Sequence, residues 1–103
     1  ARLARTRSAY GEKTWATFLA NHDQPRAMTR LGGDFAQARL AASLQFTAPG
    51  TPFIYYGEEL GQQGAKPDPD IRRPYQWSAE EPSAGFSPAE AWRAPFEDYK
   101  LVN

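Results

Sequence analysis

Two short apolar runs frame this chain, and each breaks off into a cluster of polar side chains. The first, Trp15-Ala16-Thr17-Phe18-Leu19-Ala20, shows little polar alternation. That pattern suits a strand buried on both faces, as in a parallel sheet, and it predicts a strand over Trp15–Ala20. The second, Phe53-Ile54-Tyr55-Tyr56, is rich in β-formers and closed by Gly57, which predicts another strand over Phe53–Tyr56.

Between them, Gln24 to Gly33 reads as a loop: Pro25 removes a backbone donor, and Gly32-Gly33 gives the chain freedom to turn. Asp34 then has the place of a helix N-cap, with Gln37 three residues on to complete a capping-box pattern. The helix is expected from Phe35 to Phe46. Ala36, Leu40 and Leu44 share one face at four-residue spacing, while Phe35, Ala42 and Phe46 lie on another. The pattern therefore predicts a helix covered on more than one side. Pro49-Gly50-Thr51-Pro52 ends it and launches the second apolar run.

Strand, helix, strand is the βαβ unit, whose two strands run parallel because the helix returns the chain to the starting edge. The two polar tips, His22-Asp23 and Glu58-Glu59, should then emerge at the same carboxyl edge of the sheet. That is the edge where α/β proteins place ligands.

The flanks are less regular. Residues 1–9, basic with leucine and alanine, suit the tail of a helix that Gly11 would end. From Gly61 the composition shifts to Gly, Pro, Asp and Ser, and a long loop is expected between Gln62 and Pro88. Its interleaved Ile71, Tyr75, Trp77 and Phe86, followed by Trp92, argue that it packs. Ser87 is expected to cap a short helix over Pro88–Trp92, with proline at the favoured first position. The chain has no initiator methionine and begins in mid-pattern, as a piece of a longer protein would.

Composition narrows the partners. Apolar residues make up 41% of the 103, enough for some core. Twelve basic and twelve acidic residues cancel, leaving no electrostatic footprint for nucleic acid or an anionic membrane surface. No run approaches the roughly 18–20 apolar residues that span a bilayer, and no signal-peptide core is present. With no cysteine, disulfides and thiolate metal sites are excluded, while the compartment is left unspecified.

The candidate chemistry is concentrated in Phe18-Leu19-Ala20-Asn21-His22-Asp23-Gln24-Pro25-Arg26, which holds the single histidine. A histidine beside an aspartate is often a satisfied structural pair, and its place at a strand end, together with two further motifs downstream, raises it to a site candidate. Glu58, after the Tyr-Tyr-Gly turn, reads first as an anchor accepting backbone hydrogen bonds. The aromatics read first as core and loop packing, with Tyr75 and Trp77 alone placed to line a cleft near Arg72. One imidazole, no thiol and no HExxH-type spacing argue against a metal site.

Phe-Leu-Ala-Asn-His-Asp-Gln-Pro-Arg at one strand end and Pro-Gly-Thr-Pro-Phe-Ile-Tyr-Tyr-Gly-Glu-Glu-Leu-Gly at the next resemble the α-amylase superfamily of glycoside hydrolases. A third segment, Asp70-Ile71-Arg72-Arg73-Pro74-Tyr75-Gln76-Trp77, is similar to one in that family's bacterial α-glucosidases and maltodextrin-acting enzymes. Arg73 and Tyr75 stand where threonine and methionine are common there. The resemblance covers nearly the whole chain and implies an α/β fold. Residues 1–103 would be the C-terminal portion of a (β/α)8 TIM barrel, comprising strand 7, helix 7, strand 8 and the long loop after it, with no second domain. A barrel of that type takes about 250 residues.

By the same resemblance, Asp23 matches the carboxylate that stabilises the transition state, and His22 and Arg72 match substrate-binding residues. Asn21, Arg26, Tyr75 and Trp77 are further candidates. The expected function is a retaining glycosidase hydrolysing or transferring α-glucosyl units, with an α-glucan or maltooligosaccharide as its partner. The alternative is a barrel that binds sugar or a partner protein without catalysis. Retaining chemistry needs two carboxyls about 5–5.5 Å apart, and by resemblance both belong to strands upstream of Ala1. Glu58 and Glu59 cannot replace them, because adjacent side chains on an extended segment point apart. No cofactor is expected in this segment; the calcium sites of some relatives would lie outside it.

Overall fold

A computed structural model describes residues 2–103, so the reading of Ala1 lies outside the described residues. Helix α1 spans Arg2–Tyr10 and closes at Gly11, whose N–H donates to Arg7 O at 3.0 Å. Strand β1 is short, Ala16–Thr17, and strand β2 is Thr51–Pro52. They pair in parallel, Ala16 opposite Thr51 and Thr17 opposite Pro52. Between them lie helix α2, Ala27–Arg30, and helix α3, Phe35–Thr47. The expected βαβ order and parallel pairing are therefore present.

The ladder is shorter than expected, and on the second run it sits N-terminal to Phe53–Tyr56. Thr51 N–H donates to Trp15 O at 2.9 Å and Phe53 N–H to Thr17 O at 2.7 Å, where the pairing ends. Beyond that point side chains take the backbone groups that a longer ladder would use. Gln45, buried on α3, donates from Nε2 to Thr17 O at 3.1 Å and to Phe53 O at 2.8 Å. Arg30 Nη1 donates to Leu19 O at 3.1 Å and Arg26 Nη1 to Tyr56 O at 2.5 Å. The carbonyls at the strand ends are thus satisfied from the loop and helix between them. Gly50 makes the close start of β2 possible. At φ +119 a side chain is disfavoured, and a Cβ there would lie 2.9 Å from Trp15 O.

Asp34 caps α3 as expected, its Oδ1 accepting from Ala36 N–H at 2.8 Å and Gln37 N–H at 3.2 Å. The return arm of the box differs. Asp34 N–H is already given to Leu31 O at 3.3 Å, so Gln37 Nε2 turns to the Asp34 carboxylate instead, at 3.1 Å. The helix runs one residue past the expected end, to Thr47. Its inward side is Ala38, Ala41, Ala42 and Gln45, whereas Leu40 and Leu44 stand 62% and 61% exposed and Phe35 and Phe46 also face out. The expectation of cover on more than one side is therefore not met within this chain. Four-residue spacing identifies which residues share a face but not what lies opposite that face. The loop between β1 and α3 also holds α2, a single turn that the Gly-Pro punctuation concealed.

After β2 the chain is mostly irregular, as expected, apart from the single turn α4, Asp68–Ile71. Long-range side-chain bonds fix it. Tyr55 Oη donates to Ile71 O at 3.2 Å and Tyr56 Oη to Arg73 O at 2.9 Å. Gln62 Nε2 donates to Gln76 Oε1 at 3.0 Å, and fully buried Gln76 passes the chain on to Asp98 Oδ1 at 3.1 Å and Val102 O at 2.6 Å. The helix expected over Pro88–Trp92 does not form. Buried Ser83 intercepts its backbone, donating to Ala89 O at 2.8 Å and accepting from Ala91 N–H at 2.9 Å. Ser87 caps only a local turn, through Ala89 N–H at 3.1 Å.

Candidate active site

The end of the first apolar run is shaped by its own side chains. Ala20 is buried, and Asn21 Oδ1 accepts from Asp23 N–H at 3.0 Å while Gln24 N–H reaches Asn21 O at 3.2 Å. This Asx-type turn reverses the chain and lifts the next two side chains into solvent. His22 Nε2 lies 3.2 Å from Asp23 Oδ2, and the two side chains are 66% and 63% exposed.

Arg72 closes this tip from across the fold. It follows α4, and its Nε donates to His22 O at 2.9 Å. Its Nη2 donates to Asp23 Oδ1 at 3.1 Å and to Asp68 Oδ2 at 2.8 Å. Residues some 50 positions apart in sequence thus meet in one constellation: an imidazole, two carboxylates and a guanidinium whose planar fork suits bidentate recognition. Hydrogen bonding from Lys66 holds the Asp68 carboxyl below the usual carboxylate range, against partial burial and with help from Arg72. Chemically the tip can accept hydrogen bonds from hydroxyls and place negative charge beside developing positive charge. The described residues contain no group of three or more metal-ligating side chains.

The other candidates divide. Asn21 joins the tip as its turn-former. Arg26 is not brought there: it is fully buried, with Tyr55 and Tyr56 ring centroids 4.6 and 4.7 Å from its guanidinium carbon. Burial lowers its pKa, opposed by those tyrosines and by Glu58. It ties the turn after β1 to the segment after β2. Glu58 lies half-buried nearby, and desolvation raises its pKa against backbone hydrogen bonds from Tyr55 and Ala20 and the Arg26 charge. Tyr75 and Trp77 line a cleft of about 450 Å3 that Arg72 also borders. A separate hollow of about 160 Å3 lies on the His22 side, lined by Phe18, Asn21, His22 and Tyr55 among others.

Sequence reasoning missed Asp68 as a member of these surroundings, although it had a signal: it stands four residues before Arg72, and the two pair at one helical turn. Glu59 was read as part of the second polar tip, but its partner was not legible. Its carboxylate meets the Tyr75 hydroxyl, raising the phenol's pKa, through a contact made only by folding.

The chain can be set beside known proteins on this basis. The family described as "Alpha amylase, catalytic domain" matches residues 2–103. Alpha-amylase 3 of Dictyoglomus thermophilum is 54% identical over 63 residues, covering 61% of this chain and 13% of that protein. Neopullulanase 2 of Thermoactinomyces vulgaris is 45% identical over 90 residues, covering 84% of this chain and 15% of its own length. Among solved structures, a mutant isomaltulose synthase from Erwinia rhapontici in complex with D-glucose superposes with a TM-score of 0.81 at 28% identity. That match covers 99% of this chain and 26% of the other. An alpha-amylase from H. orenii gives 0.75 at 41% identity, over 90% and 18%. The chain therefore spans well under a third of the length of these relatives. With its family match running from Arg2 to Asn103, this chain belongs to the alpha-amylase catalytic-domain family.

Proposed function

We propose that residues 1–103 form one part of a retaining α-glucan-acting glycosidase, hydrolysing or transferring α-glucosyl units. In this reading β1, α3 and β2 are strand 7, helix 7 and strand 8 of a (β/α)8 barrel, followed by the loop after strand 8. The attacking and proton-donating carboxyls come from chain outside these residues. Asp23 stabilises the transition state, while His22 and Arg72 hold the sugar. The observation that carries the reading is the meeting of Arg72 with His22 O and Asp23 Oδ1 at the strand end.

A fixed carboxylate beside an oxocarbenium-like centre lowers the barrier by electrostatics, without transferring a proton. Arg72 orients that carboxylate through its bond to Asp23 Oδ1, and His22, on the same turn, offers a ring nitrogen to a hydroxyl. Asn21, which makes the turn, is a positioning residue.

The test is turnover of maltodextrin by the intact protein carrying this segment, with the anomeric form of the first product read by proton NMR. The α-anomer is expected. A β-anomer would overturn retention. Sugar binding with no product at all would favour the alternative, a non-catalytic sugar- or partner-binding barrel. Comparing products on maltose and on longer maltodextrins separates hydrolysis from transfer.

A further inference from the structure

Arg26 stands three residues after Asp23, directly beyond the turn that carries the tip, and its side chain is fully buried. Its backbone N–H donates to Gly64 O at 2.9 Å and its Nη1 to Tyr56 O at 2.5 Å. The guanidinium carbon lies 4.6 Å from the Tyr55 ring centroid and 4.7 Å from that of Tyr56, and the two rings meet edge to face at 4.7 Å. Nε and Nη2 are buried with no hydrogen-bond partner among the described residues. Burying a cation with donors unmatched costs stability, and a hydrophobic side chain would fill the space at less cost. Residues that break a folding rule in this way concentrate where function needs them.

The far ends of the two rings show what that need is. Tyr55 Oη donates to Ile71 O at 3.2 Å and Tyr56 Oη to Arg73 O at 2.9 Å. Ile71 and Arg73 are the neighbours of Arg72 on either side. One anchor would leave the residue between them free to pivot. Two anchors fix where its side chain starts and which way it leaves the backbone. Ile71 is itself fully buried, so the footing is firm. Burial pushes the Tyr55 phenol up to about 12, helped by Tyr56 and opposed by Arg26 and Arg72, so its hydroxyl keeps the proton it donates.

From that footing Arg72 reaches His22 O and Asp23 Oδ1. The path closes on itself: from Asp23 along the chain to Arg26, across to the two tyrosines, through their hydroxyls to the peptides around Arg72, and back to Asp23. A planar guanidinium can meet both rings while donating to Tyr56 O, which a lysine ammonium cannot match. We propose that Arg26 is a positioning residue for Arg72: by holding the Tyr55 and Tyr56 rings it places the peptides on either side of Arg72, and with them the reach of that guanidinium to Asp23. The consequence for turnover rests on the proposed function; the placement itself does not.

The test keeps the rings and removes their hydroxyls, in the intact protein carrying Tyr55→Phe and Tyr56→Phe together. Its crystal structure should show Arg72 Nη2 withdrawn from Asp23 Oδ1 beyond hydrogen-bond distance, and kcat/KM on maltodextrin should fall about tenfold. In an Arg72→Ala background the same pair of changes should alter kcat/KM by less than about twofold, because the residue they place is gone. Equal falls in both backgrounds, or an Arg72–Asp23 bond still in place, would overturn the inference. Arg26→Lys, which keeps the charge and loses the plane, should give the same displacement of Arg72 and the same loss. An Arg26→Lys protein with Arg72 unmoved would remove Arg26 from the path, and one that fails to fold would make Arg26 a general support instead. Absence of turnover in the parent marks failure of the proposed function, and the crystallographic position of Arg72 then decides this inference alone.

Discussion

Arg72 shows best how single residues build this site. One guanidinium serves His22 O, Asp23 Oδ1 and Asp68 Oδ2, so its planar geometry, and not its charge alone, sets the distance between strand end and loop. Replacing it by lysine keeps the charge and loses the fork. If the proposed activity holds, Arg72→Lys in the intact protein should lower kcat/KM on maltodextrin by roughly a hundredfold, as a misplacement of about 1 Å does; steady-state rates equal to the parent would refute the positioning role. His22 and Asp23 drew notice in the sequence because a motif and the end of an apolar run coincide there, and Arg72 because it stands in a third motif; that the three would meet depends on the fold. Arg26 was legible as a notable residue but not as a buried one, because stacking on Tyr55 and Tyr56 depends on a contact 30 residues away. Glu58 gives a pH signature. Burial raises its folded pKa above the ordinary 4.5, so between those two values the folded state holds the proton more tightly than the unfolded one. Its contribution to stability is therefore fullest below 4.5 and declines as pH rises through the folded value. Melting curves from acid to neutral pH should show Glu58→Gln without that decline; parallel pH profiles for variant and parent would remove the assignment.

At the scale of elements, the central fact is that side chains finish what the sheet begins. The ladder stops at Phe53 N–H, and Gln45 supplies the next bonds from α3. Gln45→Leu would leave Phe53 O without that donor, whereas Thr17 O keeps Phe53 N–H. Phe53 is itself exposed and the bond part-buried, so its loss costs about 0.5–1.5 kcal/mol, and the intact protein carrying the variant should melt at a lower temperature with unchanged activity per folded molecule. A melting temperature at or above the parent's would show the bond to be dispensable. The type and order of β1, α3 and β2 could be read from apolar runs and from the cap at Asp34. The exact ladder could not, since periodicity does not reveal that a buried amide will take a strand's carbonyls. The absent helix over Pro88–Trp92 has the same origin: Ser83, five residues before Pro88, captures the backbone first.

At the scale of the whole molecule, the radius of gyration is 15.8 Å and the extents are 49 × 25 × 22 Å. A compact domain of this length would have a radius near about 13 Å. The shape is elongated, and Leu40, Leu44, Phe46 and Phe53 are among the large apolar side chains left facing out. A two-stranded parallel sheet with open edges is marginal by itself. The isolated chain should therefore be inactive on maltodextrins and bind a hydrophobic dye without a cooperative melting transition; a sharp, reversible transition as a soluble monomer would contradict this. The family was visible in the motifs, and the parallel strand-helix-strand order in the apolar runs. The aromatic cleft was visible only through Tyr75 and Trp77, because Tyr56, Glu59 and Trp92 reach it from segments with no common spacing. The proposed role of Asp23 in stabilising the transition state is tested most directly by kcat/KM for maltodextrin of the intact protein with Asp23→Asn. A fall of about a thousandfold is expected, the scale of a lost transition-state interaction, with the fold and ground-state sugar affinity retained. A variant as active as the parent would contradict it.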